Sequence, residues 1–208
     1  MNDYKCKIIS VKPSLKHKNY FHVVLESGNK YNIHKEQILN YNIKENLHIN
    51  ENVIQEALNE TEIEQIKNKI FLLLSYRSRS KKELKDSLIA KNFKIQNILN
   101  VIEDLEKRDY INDLAFTKMY ASHLIKEKRL GKYLVEQKLL QHEIDFSVME
   151  PIISELYMKY PVNYLIKEIL KKKKWTNKNL LKNKIKIINH LKRKGFNWDD
   201  IKPIFNDI

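Results

Sequence analysis

Between positions 21 and 33 the chain alternates: Phe21, Val23 and Leu25 are separated by His22 and Val24, and after Ser27-Gly28-Asn29 a second run, Lys30-Tyr31-Asn32-Ile33, begins. A period of two places one set of side chains on one sheet face, and a glycine-bearing link lets the chain turn back. The stretch therefore predicts a β-hairpin, joined by an earlier strand near residues 5–11. Short helical pieces are expected around 35–39 and 51–58. Together, residues 1–60 read as a small β-rich N-terminal appendage containing the hairpin.

From Thr61 onward the period changes. Ile63, Ile66, Ile70, Leu73 and Leu74 share one helical face. The next helix opens with Ser80-Lys81-Lys82-Glu83, a capping-box pattern in which hydroxyl and carboxylate satisfy free amides reciprocally, and it is expected to bury Leu84 and Leu88. A third helix carries Ile95, Ile98, Leu99, Ile102 and Leu105. Arg77, Arg79, Lys81 and Lys82 stack cations where the helix dipole disfavours them. Glu83 and the Ser80 cap are expected to offset part of that, leaving the loop cations free for solvent or a partner.

The same grammar returns twice. L-I-A-K-N-F at 88–93 aligns with L-L-Q-H-E-I at 139–144 and with L-K-R-K-G-F at 191–196. In the same register Leu84 matches Val135 and Ile187, Ile98 matches Met149 and Ile201, and Ile102 matches Ile153 and Phe205. The expected fold class is mainly α: three tandem three-helix repeats, at 61–110, 111–160 and 161–208, stacked into an elongated, curved body. Pro151 and Pro203 fall inside third helices and are expected to kink or delay them. Pro161 suits a first helical position, and Asn92 and Gly195 suit left-handed C-caps.

Charge changes this picture. The chain of 208 residues carries a formal +13, and the excess is uneven. Residues 1–70 contribute +1, 71–110 contribute +3, 111–160 balance, and 161–208 contribute +9. Such a field attracts a polyanion. Lys outnumbers Arg 34 to 5; ammonium groups are point charges without a bidentate fork and suit phosphate tracking better than base reading.

Little in the sequence points to chemistry. Three glycines leave no phosphate-cradling Gly-rich loop. The seven histidines are scattered, with no H-E-x-x-H, and His123, beside Phe116, Met119, Tyr120 and Leu124, reads as a packing residue. Cys6 is the lone cysteine, which excludes an internal disulfide and a cysteine zinc site. No catalytic residue, cofactor or metal ligand is assigned, and an enzyme is not expected. The N-terminus lacks a secretory h-region and no run spans a membrane, so a cytoplasmic monomer is expected.

What remains is basic surface with interleaved aromatics. Tyr76, Arg77, Arg79, Lys81 and Lys82 form a first cluster; Lys126, Lys128, Arg129 and Lys132 a second; Lys171, Lys172, Lys173 and Lys174 with Trp175 a third. All three fall in equivalent links and are expected to form one binding edge, with Tyr76 and Trp175 able either to stack on bases or to cap the core.

The pattern Arg77-x-Arg79-Ser80-x-x-Glu83-Leu84-x-x-x-Leu88 resembles the RecX family of RecA regulators. So do Tyr110-Ile111-Asn112-Asp113-x-x-Phe116, Lys128-x-x-Gly131-x-x-x-Val135-x-x-x-Leu139 and Leu191-x-Arg193-x-Gly195-Phe196-x-x-x-x-Ile201. The likeness covers Ile63 to the C-terminus. Asn92 stands where the family has a glycine, and Tyr133 and Leu134 follow Lys132 where it often has basic residues. The resemblance implies a non-enzymatic protein lying in the groove of the RecA–single-stranded DNA filament, which inhibits ATPase, strand-exchange and coprotease activities. Its implied partners are RecA and single-stranded DNA, with double-stranded DNA a further candidate. The alternative is a stand-alone DNA-binding protein of helix-turn-helix-like repeats.

Overall fold

In the hairpin, β2 (Tyr20–Leu25) returns through Gly28 to β3 (Lys30–His34), pairing Val23 with Tyr31 and Phe21 with Ile33. The computed structural model describes residues 5–15, 17–175 and 180–206. The expected first strand is β1 (Lys5–Pro13), antiparallel to β2 with a register shift between Ile8 and Ser10. After α1 (Lys35–Asn40), a three-residue strand, β4 (His48–Asn50), pairs with the start of β1, giving the antiparallel order β3-β2-β1-β4. β4 was not legible in the sequence, because three residues are too few to show a period.

The pieces expected at 51–58 and from Thr61 are one helix, α2 (Glu51–Tyr76). Nothing between Leu58 and Glu62 breaks a helix, and Thr61 is turned to use. Its buried hydroxyl donates to Ala57 O at 2.7 Å and accepts from His34 N–H at 3.1 Å, tying α2 to the end of β3. Ile8, Val23, Leu25, Ile33, Ile38, Ile43, Ile49, Ile54 and Ala57 make the core beneath the sheet.

Helices follow: α3 (Lys81–Ile89), α4 (Ile95–Lys107), α5 (Asp113–Ser122), α6 (Lys132–Leu140), α7 (Phe146–Lys159), α8 (Val162–Lys172), α9 (Lys184–Arg193) and α10 (Trp198–Ile201). The fold is mainly helical with a small N-terminal antiparallel sheet. The chain divides into two units. The first takes the chain up to Tyr76 and Lys85–Asp104; the second takes Arg77–Leu84 and the chain from Leu105 on. The second has its own core, including Phe116, Ile125, Val135, Leu139, Met149, Ile153, Leu165, Ile187, Leu191 and Ile201.

The aligned segments end their helices alike. Asn92, Glu143 and Gly195 have φ of 62°, 57° and 85°. In each turn the next amide (Phe93, Ile144, Phe196) reaches back to the carbonyl of Leu88, Leu139 or Leu191, the long bond of a Schellman cap. Those three leucines are fully buried, as are Leu84, Val135 and Ile187 one turn earlier.

The prolines act differently from one another. α7 continues through Pro151, which sits at its sixth residue. At Pro203 the α-helix gives way to a 3-10 turn (Lys202–Phe205), because the ring removes an amide. Pro161 is the N-cap of α8, one position before the first helical residue. α10 starts with a capping box of Asn197 and Asp200, so Asp200, beside Asp199, holds the helix start.

Candidate nucleic-acid interface

The first basic cluster is taken up by acids. Arg77 donates through both Nη atoms to Glu83, at 2.8 and 2.9 Å, and Arg79 lies 3.9 Å from the same carboxylate. Ser80 Oγ accepts from Glu83 N–H at 3.2 Å, so the serine half of the box forms while both carboxylate oxygens face Arg77. Lys81 Nζ donates to Glu106 at 2.9 Å, and Lys82 lies 3.4 Å from Glu143. The expectation of free loop cations is corrected accordingly: at the N-terminus of α3 the dipole disfavours bare positive charge, and carboxylates from α3, α4 and the α6–α7 turn compensate it. Lys81 and Lys82 line a cleft with Glu106, Asp109, Asp113 and Asp145, a surface of mixed sign. Tyr76, at the end of α2, is 75% exposed.

Sequence reasoning missed His142. It sits over Phe116 and Tyr120, with ring centroids 5.0 Å away in each case, and its Nδ1 is 3.1 Å from Ser80 Oγ. Ser80 is fully buried and also accepts the Glu83 amide proton, so the pair with His142 belongs to a closed local network. Burial, partly opposed by Glu83, lowers the His142 pKa. His123, expected to be packed, is exposed instead: it follows Met119, also exposed, by one helical turn, while α5 buries Phe116, Thr117 and Ala121, and a π-helical turn (His123–Glu127) begins at this point.

The second and third clusters meet in one place. After the π-turn, Lys128 and Arg129 lead into Gly131; Lys172 and Lys173 end α8; Lys194 follows α9. Lys128, Arg129, Lys172, Lys173 and Lys194 line a single cleft of ≈ 360 Å³ with Glu127, Ile169 and His190. Lys126, Lys132, Lys171 and Lys174 are exposed outside that lining. Arg129 lies 3.9 Å from Glu168, and Lys132 3.9 Å from Glu136 on its own helix. Trp175 is half-buried against the core and meets the His190 ring edge-on at 5.5 Å, a core-capping position.

Two glycines build the cleft. Gly131 N–H donates to Lys194 O at 2.8 Å. A Cβ on Gly131 would lie 2.3 Å from Gly195 O, and one on Gly195 would lie 2.4 Å from Leu134 Cβ. Only bare backbones approach so closely, and the approach seats Lys194 Nζ on Lys128 O at 2.6 Å. Tyr157 helps, donating its hydroxyl to Leu130 O at 2.7 Å. Arg129 takes φ 51° and Lys174 φ 55°, a left-handed conformation costing about 1 kcal/mol for such residues. Burial chiefly, and then Arg129, Lys172, Lys173 and Lys128, push the Lys194 ammonium below its ordinary pKa. His190 is lowered by burial, Lys173, Lys194 and Arg193. The cleft can hold an anion; among the described residues no group of His, Cys, Asp or Glu could hold a metal.

No family model matches the chain. Curated relatives do. A protein named regulatory protein RecX from Listeria monocytogenes serotype 4a (strain HCC23) is 28% identical over 200 residues, covering 91% of this chain and 71% of the relative. Another of that name, from Clostridioides difficile (strain 630), is 28% identical over 179 residues, covering 85% and 83%. A crystal structure of RecX from Lactobacillus salivarius aligns with a TM-score of 0.55 at 25% identity, over 70% of this chain and 96% of that one. These likenesses support a RecX family assignment. A further crystal structure of a regulatory protein RecX shares the fold with a TM-score of 0.66 at 17% identity, over 95% of this chain and 97% of that one. The RecX likeness thus includes the N-terminal sheet as well as the helices. Among the described residues no helix is long and apolar enough to cross a membrane.

Proposed function

We propose that the chain is a non-enzymatic cytoplasmic regulator of RecA. It binds the RecA–single-stranded DNA filament along its groove and inhibits ATP hydrolysis, strand exchange and coprotease activation. The observation that carries this reading is the likeness to proteins named regulatory protein RecX over about nine-tenths of the chain. The three-helix units at 61–110, 111–160 and 161–208 are part of the proposal, and three matching C-cap turns support them. The candidate contacts are the three basic clusters. Lys128, Arg129, Lys172 and Lys173 carry most weight, because they line one cleft together.

Co-sedimentation tests it. The protein is expected to pellet with RecA filaments on single-stranded DNA at concentrations that leave it in the supernatant with DNA alone. Equal recovery with naked DNA, unaffected by RecA, overturns the proposal and favours a stand-alone DNA-binding protein.

A further inference from the structure

A separate cavity of ≈ 520 Å³ lies within the first unit and shares no residue with the basic clusters. On α2, Gln65, Asn68, Lys69 and Leu72 reach it, at the three- and four-residue spacing that lines up one helix face. Tyr20 and Asn32 come from β2 and β3, and the pairing of Tyr20 with His34 puts them on the same sheet face. Phe93 adds a wall from the turn after α3. The Tyr20 ring is braced edge-on by His17 at 6.2 Å and by His34 at 5.2 Å, and its hydroxyl is hydrogen-bonded to Gln65. Asn68 gives an amide proton to Glu64 at 3.1 Å, so its carbonyl oxygen is left to accept. Asn32 and Lys69 make no side-chain hydrogen bond or ion pair among the described residues. Aromatic walls, carboxamides and one ammonium thus surround a space of the size in which proteins take small ligands, and no carboxylate lines it.

We infer that this pocket binds a purine mononucleotide, its base set against Tyr20 and Phe93 and read by Asn32, Gln65 and Asn68, with its phosphate at Lys69. The inference goes beyond the reading above: it gives the sheet-bearing unit a small-molecule site that the filament does not require. Flat bases stack on aromatic side chains irrespective of sequence. Carboxamides complement the adjacent donor and acceptor of an adenine edge, which sets adenine above the other bases. A lysine meets phosphate oxygens as a point charge. Lys69 is the one lysine or arginine in the lining, and one cation suits one phosphate group. A strand would meet a row of cations, as it does in the cleft after α8.

Isothermal titration of the full-length chain with adenosine monophosphate, adenosine and ribose 5-phosphate tests this. Adenosine monophosphate is expected to bind, adenosine to bind roughly tenfold more weakly for want of the phosphate contact, and ribose 5-phosphate to give no binding heat. Lys69→Gln is expected to bring adenosine monophosphate down to the affinity of adenosine while leaving adenosine itself unchanged, a split that a general loss of structure does not produce. Asn32→Ala, at an exposed position, is expected to weaken both ligands alike by roughly tenfold. Ribose 5-phosphate binding as tightly as adenosine monophosphate would reduce the effect to the chain's positive charge and overturn the inference. So would the absence of adenosine monophosphate binding, or binding that ignores both substitutions. Oligo(dA) that binds more tightly than the mononucleotide, and is weakened by the same two substitutions, makes the ligand a base within a strand and overturns the mononucleotide assignment. The titration contains no RecA, so the filament proposal stands or falls separately on co-sedimentation.

Discussion

At the scale of single residues, His142 and Tyr157 carry the sharpest consequences. His142 is held neutral by burial, against the Ser80 hydroxyl. Its folded pKa lies below the unfolded value of about 6.5, so the unfolded chain takes up a proton first as pH falls. The stability this histidine contributes is present above about pH 6.5 and is lost as pH drops through the lowered folded value. Urea denaturation at pH 7.5 and 5.5 is expected to show a smaller acid-side loss in His142→Phe than in wild type. An identical loss would remove His142 from the account. Tyr157→Phe strands the Leu130 carbonyl and is expected to destabilise by about 1–2 kcal/mol, read from the urea midpoint. Neither role was legible in the sequence. His142 lies 62 positions from Ser80, and a partnership at that separation has no local signature. What was legible was the Ser80 cap, because its partner is three residues away.

At the scale of elements, turns decide what the helices can do. Gly195→Ala would put a Cβ at φ 85° and 2.4 Å from Leu134 Cβ. The combined strain and overpacking is expected to cost about 2–4 kcal/mol. Gly28→Ala, also at positive φ but with nothing within 4 Å, is expected to cost only about 1 kcal/mol. Glu143→Gly relieves φ 57° and gives up only a pair with Lys82 in which Glu143 is 61% exposed, so it is expected to gain about 0.5–1 kcal/mol. Thermal denaturation of the three variants reads the order. The hairpin, β1 and the helices from α3 onward were readable because period and turn chemistry agreed. The joined α2, the three-residue β4 and the π-turn were not. The first hides behind weak helix formers, the second is too short, and the third is marked by the Lys128 N–H bond to His123 O, five residues back, which composition does not announce.

Across the whole molecule the excess charge matters more than any pocket. Residues 161–208 hold +9 of the +13, and the basic links of the last two aligned segments converge where the first is neutralised by Glu83, Glu106 and Glu143. Counting lysines located the charge, but only folding shows which lysines have acids beside them. RecA's ATP hydrolysis on single-stranded DNA, titrated with the purified protein, tests the central claim most directly. The account predicts suppression at substoichiometric protein, weakened when Lys172 and Lys173 are neutralised. Hydrolysis that stays at its full rate under excess protein would contradict it.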